Sequence, residues 1–116
     1  MTTRYQQGYA FENRVKADIQ RHGYYAVRSG GSKGIVDILA VREHSPRILM
    51  VQCKRKGAIS REEWNELLRS AELYGGHALM AYMPGARGIE YRGLVTERAH
   101  GDSVEACSVK WEWNPK

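Results

Sequence analysis

The stretch GGSKGIVDILAVREHSPRILMVQCK, residues 30–54, decides how this chain is interpreted. It contains a glycine-rich turn, an apolar run interrupted by Asp37, a polar loop, and a second apolar run that ends in Gln52-Cys53-Lys54. Apolar runs of this length between turn residues predict buried strands. Charged side chains in or beside such strands are rarely buried without a partner or a metal ion. Asp37 and Lys54 therefore need an explanation.

A hairpin between the two runs brings the polar residues together. The loop is predicted at residues 43–46, EHSP, because proline is excluded from a central strand. This loop places Asp37 opposite Gln52, and Lys54 shares a sheet face with Gln52. Carboxylate and amide oxygens suit Mg²⁺ or Mn²⁺, and a neighbouring lysine can orient water or offset charge on a phosphate. The alternative is a structural ion pair between Asp37 and Lys54.

Size and composition set the general class of the protein. A chain of 116 residues with 42% hydrophobic content predicts one domain, over residues 1–116, with one small core. The longest apolar run falls well short of the ~18 residues of a membrane span, and the first residues have no apolar signal-peptide core. We therefore expect a cytoplasmic protein with no membrane contact. A net charge of +5 fits an anionic partner, although charge alone is weak evidence.

The apolar periodicity predicts an α/β fold, a mixed sheet flanked by helices. A first helix is expected over about residues 7–22, after a loose arm of residues 1–6, and a capping box at residues 60–63 opens a second helix. Strands are expected at residues 24–28, in the two runs of the hairpin, at 77–83 parallel to the Gln52 strand, at 89–95 as an edge strand, and at 107–113 with alternate residues buried.

Other polar residues could join the cluster. Glu12 flanks the apolar face of the first helix, where it either pairs with Lys16 four residues later or supplies a third acidic ligand. The glycine turn that carries Ser32 and Lys33 resembles an anion-binding loop, although glycine-serine turns are common. The cations of Lys54-Arg55-Lys56 are either a solvated run or contacts to DNA phosphates. Cys53 and Cys107 lack zinc-site spacing, and Cys53 is expected to be a small core residue.

Four segments together resemble the PD-(D/E)xK nuclease superfamily, and within it the archaeal-type Holliday junction resolvases: GYAFENRV (residues 8–15), GYYAVRSGGSKG (23–34), VDILAV (36–41) and MVQCKRK (50–56). The resemblance implies a restriction-endonuclease-like fold and a homodimer that nicks both sides of a four-way DNA junction. It also implies a metal-dependent active site of Glu12, Asp37, Gln52 and Lys54. Arg28, Ser32 and Lys33 correspond to residues near the scissile phosphate or the junction strands.

One residue departs from the resolvase pattern. Gln52 stands where the family usually has glutamate, as in the QxK variant of Mrr-like restriction nucleases. An amide oxygen is neutral, so metal affinity should be lower than with a carboxylate. Three alternatives stay open: a restriction or repair endonuclease that cuts linear duplex, a non-catalytic module that binds branched DNA, and a structural protein in which Asp37 and Lys54 only pair.

Overall fold

The computed structural model describes residues 3–29, 34–44, 47–86 and 88–113. In this part of the chain the elements are α1 (Arg4–Arg21), β1 (Tyr25–Arg28), β2 (Ile38–Val41), β3 (Leu49–Cys53), α2 (Arg61–Tyr74), β4 (His77–Tyr82), β5 (Glu90–Leu94), the 3-10 turn Glu105–Cys107 and β6 (Ser108–Lys110). The six strands form one sheet in the order β1 to β6, in which β3 and β4 are parallel and the other neighbours antiparallel. The predicted mixed α/β fold is confirmed.

The register of the hairpin is the one that the four-residue loop predicts. Ile38 lies opposite Val51 and Leu39 lies opposite Met50 in the antiparallel pair of β2 and β3. Asp37, the residue before β2, lies beyond the last paired residues, and its N–H donates to the Val51 carbonyl and not to that of Gln52. The parallel pairing of β3 with β4, joined by the crossover helix α2, is also confirmed.

Each face of the sheet carries one helix and one apolar layer. On the α1 face, Val15 and Ile19 pack against core residues that include Val51 of β3. On the α2 face, Trp64 and its neighbours cover Met50. Because side chains alternate along a strand, Gln52 belongs to the same face as Met50, which is the α2 face. No helix in the described segments is both long and apolar enough to cross a bilayer.

The first helix begins earlier than the apolar pattern indicates. Thr3 caps it: the Gln6 N–H donates to Thr3 Oγ1 at 3.1 Å, and the Thr3 N–H donates to Gln6 Oε1 at 2.9 Å. The helix therefore starts at Arg4, and the expectation of a loose arm is wrong for residues 3–6. The capping box T-x-x-Q carries the signal for this start, but no apolar residue stands beside it.

Two expectations for the C-terminal part are wrong. The β5 strand is internal, between β4 and β6, so the edge strand at this end of the sheet is β6. The β6 strand has only three residues, and Ser108 is buried while Val109 is 55% exposed, which is the opposite of the prediction for these two residues. A 3-10 turn precedes the strand, and the Ser108 hydroxyl donates to the Val104 carbonyl at 2.6 Å. Beyond the strand, Trp111 and Trp113 pack against the α1-side core.

Candidate active site

Asp37 is held between three strands by its own backbone. Its N–H donates to the Val51 carbonyl at 2.8 Å, and its carbonyl accepts from the Ser29 N–H at 2.9 Å. Its carboxylate oxygen Oδ2 accepts from the Cys53 N–H at 2.8 Å. The side chain thus takes the place of a strand carbonyl at the end of the β2–β3 ladder.

The electrostatic surroundings of Asp37 favour the arrival of a cation. Burial, the largest influence, raises the pKa of this carboxyl to about 6, and the negative charge of Glu12 adds to the increase. The Cys53 N–H and the charges of Lys54 and Arg28 lower the pKa, but by less in total. At pH 7 the carboxyl group is therefore largely ionised despite its burial, and a pKa raised in this way is common at functional sites.

Gln52 has an oxygen that the protein leaves unsatisfied. The side chain is 8% exposed, and its Oε1 is buried with no hydrogen-bond partner among the described residues. Such an oxygen costs roughly 1–3 kcal/mol in a folded protein, so it is retained only for a reason. The carboxylate of Asp37 and the amide oxygen of Gln52 are both hard oxygen donors of the kind that Mg²⁺ and Mn²⁺ prefer. The residues present therefore fit a divalent cation.

This donor set differs from an ordinary acidic cluster. Within the four described ranges, no three His, Cys, Asp or Glu side chains lie close enough together to hold a metal ion. At this end of the sheet the amide oxygen of Gln52 could serve an ion in place of a third carboxylate.

Lys54 is held by α2. Its ammonium lies 2.9 Å from Oε2 of Glu63, and Oε1 of Glu63 accepts from the Ser60 N–H at 3.2 Å. The bond from Lys54 is the largest influence that lowers the pKa of Glu63. Both partners are described, and no ion pair joins Lys54 to Asp37. The interpretation of Asp37 and Lys54 as a simple structural pair is therefore wrong.

Glu63 is the site neighbour that the sequence interpretation missed. The residue was assigned only to the capping box of α2, where its N–H donates to Ser60 Oγ at 3.1 Å. The same carboxylate both closes the cap and binds the lysine. No local pattern predicts this contact, because residues 54 and 63 belong to a strand end and a helix start on either side of a loop.

Glu12 pairs across the α1 face with β1. Arg28 donates to Glu12 Oε1 from Nε at 3.2 Å and from Nη2 at 3.0 Å, while its guanidinium lies 4.2 Å from the centre of the Tyr9 ring. The alternative pairing of Glu12 with Lys16 is wrong. Glu12 remains close enough to Asp37 to raise its pKa. As a ligand it would have to share its carboxylate with Arg28.

The other residues predicted to contact DNA lie partly within and partly outside the described segments. Ser32 and Lys33 lie outside the described residues. Arg55 and Lys56 are exposed in a turn that the Gly57 N–H closes on the Lys54 carbonyl at 2.7 Å.

Cys53 packs against the α1-side core, as expected. Burial and the nearby Asp37 charge raise the pKa of its thiol, which argues against a nucleophile.

Comparison with known proteins identifies a family and relatives for this chain. The chain is 33% identical over 85 residues to the crossover junction endodeoxyribonuclease Hjc of Methanocaldococcus jannaschii, a match covering 70% of this chain and 62% of that protein. The fold is similar to the solved structure of Archaeoglobus fulgidus Hjc, a Holliday junction resolvase, with a TM-score of 0.60 and 23% identity over 73% of this chain and 70% of the other. The predicted resemblance to archaeal-type resolvases is thus confirmed. Residues 4–84 match the Mrr_cat family, described as restriction endonuclease, and because the match covers more than half of the sequence, the chain belongs to this family.

Proposed function

We propose that the protein is a metal-dependent, structure-selective endonuclease that resolves four-way DNA junctions by paired nicks. One observation carries the metal-dependent part: the buried Oε1 of Gln52 has no donor among the described residues, and Asp37, whose pKa burial raises to about 6, bonds to the backbone of Val51 and Cys53 on either side of Gln52. The likeness to a crossover junction endodeoxyribonuclease supports branched DNA as the substrate. Nucleases of this family generally depend on a divalent metal ion.

The residues of this site have two roles, which are metal binding and stabilisation of the reacting groups. Asp37 and Gln52 would hold Mg²⁺ or Mn²⁺, with Glu12 as a third ligand. The bound ion supplies polarisation of the phosphate and a lower pKa for a bound water. Lys54 steadies a water or offsets negative charge that grows on the phosphate.

Backbone phosphates are gripped by basic and hydroxyl side chains around the site. Phosphate contacts fix the position of DNA without reading its sequence, so recognition depends on the shape of the substrate. Hydrolysis is expected to leave a 5′-phosphate and a 3′-hydroxyl. The proposed contacts are Arg28, Ser32, Lys33, Arg55 and Lys56.

A homodimer fits a substrate with two-fold symmetry. The surface that supports it is the uncovered half of the α2 face, where β1 and β2 extend beyond α2. Cross-strand pairs of large apolar side chains, 37–71% exposed, line this half: Tyr25, Val27, Leu39 and Val41. We expect Leu39→Lys to convert a dimer to a monomer in sedimentation analysis, whereas Val109→Lys on the exposed edge strand leaves the dimer intact. A wild-type monomer under the same conditions would contradict the dimer.

The deciding experiment compares a labelled four-way junction with a linear duplex of identical sequence. We expect paired nicks in the junction with Mn²⁺ or Mg²⁺ and none with a chelator. Equal cutting of the linear duplex would favour the restriction-type alternative, which the family match and Gln52 support. Tight binding to the junction without cutting in either metal would identify a binding module instead.

A further inference from the structure

A cleft beside the candidate site is lined by two arginines that have no acidic partner among the described residues. The cleft has a volume of about 210 Å³ and is lined by Gln7, Ala10, Phe11, Arg14 and Arg55. It borders the site, because Phe11 precedes Glu12 in α1 and Arg55 follows Lys54. Arg14, which the sequence interpretation did not single out, is exposed on the outer surface of α1.

Within the part of the chain that the structure describes, no ion pair neutralises the two arginines of this cleft. In the described segments, neither Arg14 nor Arg55 makes an ion pair, whereas five other arginines do: Arg21, Arg28, Arg61, Arg69 and Arg92. The residues that line the cleft include no acid. Two guanidinium groups that share a cleft repel each other, so an anion between them is favoured on both sides.

The main chain that carries each arginine is held in place. The Arg55 carbonyl accepts from the Met83 N–H at 2.9 Å, which anchors the turn after β3 to the segment after β4. Arg14 is in the middle of the 18-residue helix α1, so its Cα is also held by regular secondary structure. Guanidinium groups on rigid supports suit the planar, paired contacts that phosphate oxygens accept.

We propose that Arg14 and Arg55 form a phosphate clamp for the DNA backbone, on the α1 side of the metal site. The inference rests on the proposed function for the identity of the ligand as DNA. It adds Arg14 to the contacts of the basic turn, and so extends the DNA path from the β3 end across the outer surface of α1.

Binding without cleavage tests the clamp separately from catalysis. The wild-type protein and its variants are titrated with a four-way junction in chelator over a KCl series of roughly 50–200 mM. Arg14→Ala should weaken binding about 3- to 10-fold and reduce the slope of log K against log salt by about 1, and Arg55→Ala should do the same. Arg14→Lys keeps the charge and should restore the salt slope but only part of the affinity.

The matched control is Arg21→Ala on the same helix. Arg21 lies 2.7 Å from Asp18 Oδ1, so its charge is already paired, and both affinity and salt slope should stay at the wild-type values. An unchanged salt slope in Arg14→Ala with a wild-type melting temperature would overturn the clamp, even if the protein cuts junctions. A reduced slope in a protein that never cuts would support the clamp and reject the proposed catalysis.

Discussion

Two carboxylates at the edge of the core, Asp18 and Asp37, are treated differently by the fold. Asp18 receives Arg21 on Oδ1 at 2.7 Å and the Tyr91 hydroxyl on Oδ2 at 2.8 Å, so both oxygens are occupied. The carboxylate of Asp37 receives one backbone N–H, from Cys53, and the side-chain oxygen of the neighbouring Gln52 receives nothing from the described residues. The first arrangement is complete without a ligand and stabilises the structure. The second leaves an acceptor without a donor among the described residues, as a site that binds a ligand does.

The most direct test of the difference between Asp18 and Asp37 is to neutralise each acid in turn. Asp37→Asn should lower junction cleavage about 10³-fold or more, because a charged ligand is lost, and should leave the melting temperature in chelator equal or higher. Asp18→Asn should do the opposite: cleavage persists, and the melting temperature falls because the contacts to Arg21 and Tyr91 weaken. Paired measurements of cleavage rate and thermal unfolding check both. Similar effects of the two changes on cleavage would remove the distinction.

Lys54 supplies charge on the other side of the same site. Lys54→Ala should lower cleavage about 10²- to 10³-fold while junction affinity changes less than about threefold, since the lysine acts on the reacting phosphate. Gel-shift titration and single-turnover cleavage on the same junction separate the two quantities. Lys56→Ala, a neighbouring exposed cation, is the control and should affect binding more than cleavage. Undiminished cleavage by Lys54→Ala would exclude the lysine from the mechanism.

The raised pKa of Asp37 also predicts how stability depends on pH. The folded protein binds this proton more tightly than the unfolded chain, so the contribution to stability is present below the ordinary pKa of 3.8 and is lost as the pH rises to about 6. The loss is at most about 3 kcal/mol, at roughly 1.4 kcal/mol per pKa unit.

Unfolding in chelator at pH 5 and pH 7.5 measures this dependence. The free energy of unfolding of the wild type should fall relative to Asp37→Asn over this interval. Parallel curves for the two proteins would mean that Asp37 is not the group responsible. A divalent cation should return part of the lost stability at pH 7.5 in the wild type but not in the variant.

The sequence predicts the part of this site that depends on local pattern. The hairpin loop fixes the β2–β3 register, and the register brings Asp37 to the end of β3, where it bonds to Val51 and Cys53 on either side of Gln52. The ion pairs that surround the site are different, because Arg28 with Glu12 and Lys54 with Glu63 join elements whose relative rotation is set by packing. Periodicity gives the apolar face of a helix but not the height at which it meets the sheet, so the partner of Glu12 could not be chosen.

Substitutions of Gln52 test whether its neutral amide oxygen acts as a metal ligand beside Asp37. Gln52→Glu should keep or raise cleavage at low metal concentration, because a carboxylate binds the ion more tightly. The added buried charge should lower the melting temperature in chelator. Gln52→Met removes the unsatisfied oxygen at similar volume, and we expect it to stabilise the metal-free protein by roughly 1–2 kcal/mol while abolishing metal-dependent stabilisation. Cleavage and melting curves over a Mn²⁺ series test both variants. Complete loss of cleavage in Gln52→Glu would assign the amide a role other than ligation.

The smallest expected effect concerns Glu63, which serves the helix cap and Lys54 at once. Glu63→Gln keeps a side chain that can close the capping box but removes the charge that holds the lysine, so cleavage should fall about 2- to 10-fold with little change in melting temperature. Ser60→Ala removes the cap and keeps the charge, and should cost about 1 kcal/mol of stability with cleavage retained. If both variants lose cleavage in proportion to their loss of stability, Glu63 acts only through the helix. If only Glu63→Gln loses cleavage, Lys54 depends on the charge of Glu63. In that case α2 positions Lys54 through Glu63, just as β1 positions Glu12 through Arg28.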